Sequence, residues 1–148
     1  MTLEHQHKEK KVKKWIVLLF LISSFSYAAE TQPPKAMAET FFASLQKSDV
    51  TGAYDNLFRG SSIPKDKPQA IAMLKQQTQG VLPFYGKVLG HELVQEESFG
   101  TSLVRLVYLL KAEKYVTVWE FYFYKPKSEW FLVNVLFNDQ FNLLGPKK

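Results

Sequence analysis

Residues 101–141 hold three long runs of β-branched and aromatic side chains in succession, and no other part of the chain restricts its fold as much. The runs are SLVRLVYLLK, YVTVWEFYFY and WFLVNVLF, a composition that favours extended strands over helices. Turn-forming residues separate them, Ala112-Glu113 between the first two and Pro126-Lys127-Ser128 between the second and third, as hairpins require. Both faces of these strands are apolar, so both need a cover. The chain's own helices can supply one; what supplies the other bears directly on function.

The helices precede the strands. In AMAETFFASLQ the apolar residues Met37, Phe41 and Leu45 share one stripe, with Ala38 and Phe42 beside it, which predicts an amphipathic helix. Ser48 or Asp49 offers an N-cap to a second helix, with Val50, Ala53, Tyr54, Leu57 and Phe58 as its apolar set and Gly60-Ser61-Ser62 as its end. A third helix opens after Asp66, takes Pro68 in its first turn and runs through Ile71 and Leu74 to about Gly80. Residues 85–94 read as a weaker strand, bent or bulged at Gly86 and Gly90, and residues 95–100 as a loop. Helices first and antiparallel strands after predict an α+β domain of about four strands.

The first residues carry a different message. KEKKVKK at 8–14 is a basic n-region, WIVLLFLI at 15–22 a short apolar h-region, and Ser26-Tyr27-Ala28 places small residues at the −3 and −1 positions of a cleavage site. The apolar run is shorter than the roughly 20 residues that span a bilayer, so the expected membrane contact is that of the leader before cleavage. Residues 1–28 are thus read as a signal peptide, 29–35 as a linker carrying two prolines, 36–144 as one α+β domain and 145–148 as a tail. The mature product is expected to be periplasmic or secreted and soluble. The leader also removes most of the charge. Its first 14 residues hold five lysines and two glutamates, leaving 14 basic against 12 acidic residues after residue 28. Nothing in that balance makes a nucleic-acid footprint. The chain has no cysteine, so in an oxidising compartment its core must hold it without disulfides.

The segments AETFFASLQKSDVTGAYDNLF and WEFYFYKPKSEWFLVNVLFND resemble the nuclear-transport-factor-2-like superfamily. The N-terminal segment resembles that family's aromatic helix, short loop and following helix with paired aromatics. The C-terminal segment resembles its closing hairpin, with a tryptophan after the turn. The chain is especially similar to small exported bacterial members. The resemblance covers roughly residues 36–141 and implies a cone, with a curved antiparallel sheet wrapped around N-terminal helices. It also implies a conical pocket and often a homodimer through the outer sheet face. Members include isomerases, dehydratases and binding modules, and the acid–base pairs of the enzymes have no matching positions here.

Counting outward from the turns picks out one constellation. A two-residue turn at Ala112-Glu113 pairs Lys111 with Lys114 and sets Arg105 opposite Glu120. A three-residue loop pairing Lys125 with Glu129 sets Glu120 opposite Asn134. The row Arg105–Glu120–Asn134 then shares a face with Leu103, Val107, Leu109, Val116, Val118, Tyr122, Leu132 and Leu136. The other face collects Val104, Leu106, Tyr108, Leu110, Trp119, Phe121, Phe123, Phe131, Val133, Val135 and Phe137. Being still more apolar, it has the better claim to the helices. Arg105, Glu120, Asn134 and Tyr122 are therefore the candidate ligand-binding or interface residues. In one reading they face outward as a cross-strand ion pair or dimer contact. In the other they floor a pocket, with Arg105 anchoring a small hydrophobic substrate and Glu120 acting as a base whose pKa its apolar setting raises.

Other polar residues read more plainly. His91 is the one histidine after residue 7, too few for a triad or a two-histidine metal site; it reads as a structural or solvent-facing strand residue. Glu96-Glu97 reads as a solvated loop pair, Asp139 as turn chemistry, and the aromatics at 119–131 as core and interface. No phosphate loop, nucleophile elbow or metal motif occurs, and no cofactor is expected. The expectation is an exported, non-catalytic binding or association domain, with a homodimer or protein partner on the uncovered sheet face. The alternatives are a lyase or isomerase on a small hydrophobic substrate and a structural envelope protein.

Overall fold

The computed structural model describes residues 32–144; the signal peptide read over residues 1–28 and the tail at 145–148 lie outside them. Four helices, α1 (Pro34–Gln46), α2 (Val50–Leu57), α3 (Ile63–Asp66) and α4 (Pro68–Tyr85), come first. Four strands follow, β1 (Val88–Phe99), β2 (Leu103–Ala112), β3 (Val116–Tyr124) and β4 (Phe131–Asn138), and then a 3-10 turn over Phe141–Leu144. The strands form one antiparallel sheet in the order β1-β2-β3-β4, open at both edges. The α+β layout of helices on a four-stranded antiparallel sheet is that of the sequence reading.

The helices form where the apolar period placed them. α1 buries Met37, Ala38, Phe41, Phe42 and Leu45, and starts at Pro34, inside the segment read as a linker. A proline is suited to a first turn because its missing N–H has no intrahelical partner to lose. α2 is capped by Asp49, whose Oδ1 accepts from Gly52 N at 2.8 Å. A Cβ at Gly52 would lie 2.1 Å from Asp49 Oδ2, so the glycine makes room for the cap. α4 runs past Gly80 to Tyr85, with Pro83 inside it. The stop signals there are overridden because Leu82 is buried in the core; burial of a leucine side chain is worth about 1.5–3 kcal/mol. The short α3 has no apolar repeat to announce it and is an addition to the three helices expected.

The core lies between the helices and one face of the sheet. Phe41 touches Phe42, Tyr54, Trp119 and Phe121 with ring centroids 5.1–5.5 Å apart, tying α1 to α2 and β3 through one ring. Two pairs of buried polar groups in this layer are hydrogen-bonded. Thr78 donates to the Leu74 carbonyl at 2.9 Å, so the 2.8 Å contact between Tyr54 and Thr78 is one in which the phenol donates. Trp119 donates its indole N–H to Thr117 Oγ1 at 2.9 Å.

Three strand expectations need correction. Residues 95–99 are strand, not loop: β1 continues to Phe99, with irregularities at Val88/Gly90 and Leu93/Gln95. The β2–β3 turn is displaced by one residue: Lys111 pairs with Val116 and Ala112 N donates to Tyr115 O at 2.9 Å, so Glu113-Lys114 and not Ala112-Glu113 are its two central residues. The backbone of that connection is engaged elsewhere: Glu113 N donates to Lys87 O at 3.1 Å and Lys114 N to Tyr85 O at 3.0 Å. The turn therefore closes on itself and is also docked on the α4–β1 corner. Finally, a bulge in β4 between the pairs Tyr122/Asn134 and Phe123/Leu132 reverses the faces beyond it. Leu132 is fully buried in the core, and Phe131 sits opposite Tyr124 on the other face, its ring 5.8 Å away.

Candidate functional site

Strand alternation gives β2 and β3 two faces of different character. Leu106, Tyr108, Leu110, Trp119, Phe121 and Phe123 meet the helices. Arg105, Val107, Leu109, Val118, Glu120 and Tyr122 point the other way. The displaced β2–β3 turn moves the pairing of β2 with β3 by two residues, and a β3–β4 loop that does not pair Lys125 with Glu129, together with the β4 bulge, moves that of β3 with β4 by two, which preserves the face but changes the partners. Arg105 is opposite Tyr122, which is opposite Asn134; Glu120 lies between Val107 and Leu136. The expected straight row Arg105–Glu120–Asn134 is thus replaced by a diagonal. Had the slip been one residue, the pair would have been split between the two faces.

Arg105 and Glu120 are 1 % and 3 % exposed, and the diagonal joins them directly. Arg105 donates Nε–H to Glu120 Oε2 at 2.7 Å, and Tyr122 donates its hydroxyl to the same oxygen at 3.0 Å. Arg105 Nη1 donates to Glu97 Oε2 at 3.2 Å. Gln95 in turn donates to Glu97. Hydrogen bonding to Glu120 pushes the Arg105 pKa further up, burial opposing it. The guanidinium is a fixed cation, and its Nη2 makes no hydrogen bond. Asn134 is exposed at the sheet edge and bonds to none of these groups.

Four cross-strand rows order this face. Nearest the β1–β2 turn is Phe99–Leu103–Tyr124–Phe131, apolar across all four strands, with Phe99 50 % and Tyr124 39 % exposed. Next comes Glu97–Arg105–Tyr122–Asn134. After it comes Gln95–Val107–Glu120–Leu136, with Leu136 47 % exposed, and then Glu92–Leu109–Val118–Asn138. Glu97 is the member that sequence reasoning missed. Alternation alone does not find it: the irregularity between Leu93 and Gln95 shifts the register by one, and uninterrupted pairing from Leu93 would set Glu97 opposite Val104 on the helix face.

Residues outside this cluster fall as follows. His91 lies on the helix face, stacked on Phe42 at 4.9 Å, and burial lowers its pKa while Glu39 pulls it up and Lys111 down. Tyr108 is buried nearby; its hydroxyl makes no hydrogen bond, and burial with the charges of Glu39 and Glu96 pushes its pKa up to about 12. The turn after β4 is made by Asn138, whose Oδ1 accepts from Gln140 N at 2.8 Å, and not by Asp139. Among the described residues no group of histidines and carboxylates could hold a metal ion, and no helix is long and apolar enough to cross a membrane. Chemically, the cluster is an anchored charge pair set between apolar rows: suited to fixing register and recognising a polar group, with its one doubly bonded carboxylate oxygen already occupied. No family model, curated protein or solved structure matches the chain.

Proposed function

We propose that the chain is an exported, non-catalytic association domain of the nuclear-transport-factor-2-like kind, pairing with a second copy through the sheet face opposite the helices. The observation that carries this reading is the apolar row Phe99–Leu103–Tyr124–Phe131 beside the fixed polar row of Arg105 and Glu97. Exposed aromatics on two strands, Phe99 of β1 and Tyr124 of β3, within one apolar row mark a contact surface. A twofold axis through this face would set the same rows against each other, so one patch serves both subunits. Glu97 and Asn134, the accessible members of the neighbouring polar row, would then set the register of the pair.

The geometry gives the lyase or isomerase alternative little support. That reading needs Arg105, Glu120 and Asn134 directed into the space between sheet and helices, and their strand positions direct them away from it. Glu120 Oε2 already accepts from both Arg105 and Tyr122, which leaves it a poor proton acceptor for a substrate.

The test is sedimentation velocity on the chain recovered from an exporting host, from low to high micromolar concentration. An intact mass beginning at Ala29 and a concentration-dependent dimer are expected. Tyr124→Glu and Phe99→Glu, both at exposed positions, should return the monomer without changing the circular dichroism spectrum. A strict monomer at high micromolar concentration would sink the association reading.

A further inference from the structure

β4 leaves one edge of the sheet open. It pairs with β3 on one side only, and no backbone group of residues 133–135 is bonded outside the sheet among the described residues. A cleft of about 340 Å³ opens onto that edge. Asn134 and Val135 both line it, although successive strand side chains point to opposite faces, and Val133, the extra residue of the bulge, lies beside them. It is therefore the edge itself, backbone included, that forms this wall. The far wall is apolar, made by Phe58, Ile63, Ile71 and Leu74.

The cleft has a direction. The C-terminal end of α4 sits at the β2–β3 turn, where Lys114 N donates to Tyr85 O, and the end of β4 is at the same end of the sheet, since Asn138 pairs with Val118. The 18 residues of α4 span about 27 Å, so its N-terminus lies toward the start of β4. That end of the cleft is positive. Lys67 lines it, makes no ion pair among the described residues, and has no acidic residue beside it in the lining. α4 begins there with no capping side chain and no acid in its first turn, so its first N–H groups are open to an anion, and the neighbouring Asp66 at the end of α3 is exposed and outside the lining. A strand added antiparallel to β4 would end its chain at this point. A strand added parallel would bring its N-terminal ammonium there instead, against Lys67.

We propose that this cleft captures the C-terminal tail of a partner polypeptide. The tail adds to β4 as a fifth, antiparallel strand, sets alternate apolar side chains against Ile71 and Leu74, and places its terminal carboxylate at Lys67 and the start of α4. Main-chain hydrogen bonds along the edge give affinity, and the apolar wall and the carboxylate give selectivity.

The probe is a fluorescein-labelled hexapeptide library, with valine, leucine, isoleucine or phenylalanine at alternate positions including the last, tested by fluorescence polarisation on the chain recovered from an exporting host. The free acids should bind, and the same peptides amidated at the C-terminus should bind at least about tenfold more weakly, a loss of about 1.4 kcal/mol. Lys67→Glu, at an exposed position, should cost a similar factor. Binding should also slow amide hydrogen exchange at residues 133–135. Equal binding of acids and amides, or binding that survives Lys67→Glu with unchanged exchange along β4, would overturn the proposal, as would the absence of binding at millimolar peptide. Tyr124→Glu should leave peptide affinity unaltered, which separates this edge from the sheet face.

Discussion

On the face of the sheet that meets the helices, β3 presents Trp119, Phe121 and Phe123; on the other face the same strand presents Val118, Glu120 and Tyr122. The two faces hold in different ways. Apolar burial is non-directional and depends on area and volume, so the helix face tolerates redistribution among neighbours of similar size. The other face depends on an ion pair at 2.7 Å whose strength falls away with distance and angle. One strand thus carries a tolerant surface and an exacting one, a residue apart.

The comparison is tested most strongly at Glu120. Glu120→Ala leaves Arg105 buried with only the half-exposed Glu97 for a partner, and should cost about 3–5 kcal/mol in urea unfolding. Arg105→Met combined with Glu120→Leu should recover most or all of that loss, since a well-packed apolar pair removes both the charge and its need for a partner. If the single change costs less than about 1 kcal/mol, as solvated pairs do, the exacting character of this face is lost and with it the contrast between faces.

The same contrast explains what is legible in the sequence. The periodicities that place Phe41, Phe42, Tyr54 and Leu57 in the core are local and strong, and the structure follows them. Arg105 and Glu120 fall on the expected face because displacing the β2–β3 turn by one residue shifts the pairing by two. Their diagonal contact is not readable, because the position of the turn depends on Glu113 and Lys114 bonding to the distant α4–β1 corner. Glu97 is lost for a related reason: QEES has little strand propensity and pairs only because β2 lies beside it. The exchange of Leu132 and Phe131 comes from a bulge, which inserts one residue without a glycine to announce it. The β4 cleft is invisible throughout, since it joins α2, α3, α4 and β4 across more than seventy residues of chain.

A smaller effect sharpens the tolerant face. Two buried phenols lie there, and among the described residues one has a partner and the other none: Tyr54 donates to Thr78, while the Tyr108 hydroxyl makes no hydrogen bond. Tyr54→Phe should cost about 1 kcal/mol for the lost hydrogen bond. Tyr108→Phe should fall within about 0.5 kcal/mol of the parent, because it removes a polar atom that gains nothing by burial. Thermal unfolding of the two variants side by side checks both. A large loss for Tyr108→Phe would mean that this hydroxyl is engaged and that the face is less uniformly apolar than its neighbours make it.

The smallest effect separates the faces by the sign of their titration. Burial against Phe42 lowers the pKa of His91, so the folded chain releases that proton more readily than the unfolded chain, where histidine titrates near about 6.5. Between the two values the unfolded state binds more protons, and stability therefore rises with pH through that window. It should be full above about pH 7 and decline as the pH falls below about 6.5. His91→Gln should decline less over the same interval in urea midpoints measured at pH 7 and pH 5; an equal decline in both would assign the acid sensitivity to other groups. Arg105 shifts the other way, its charge favoured by Glu120. A buried cation is thus disfavoured on the helix face, where aromatic rings surround it, and favoured across the sheet, where a carboxylate one diagonal away accepts its hydrogen bond.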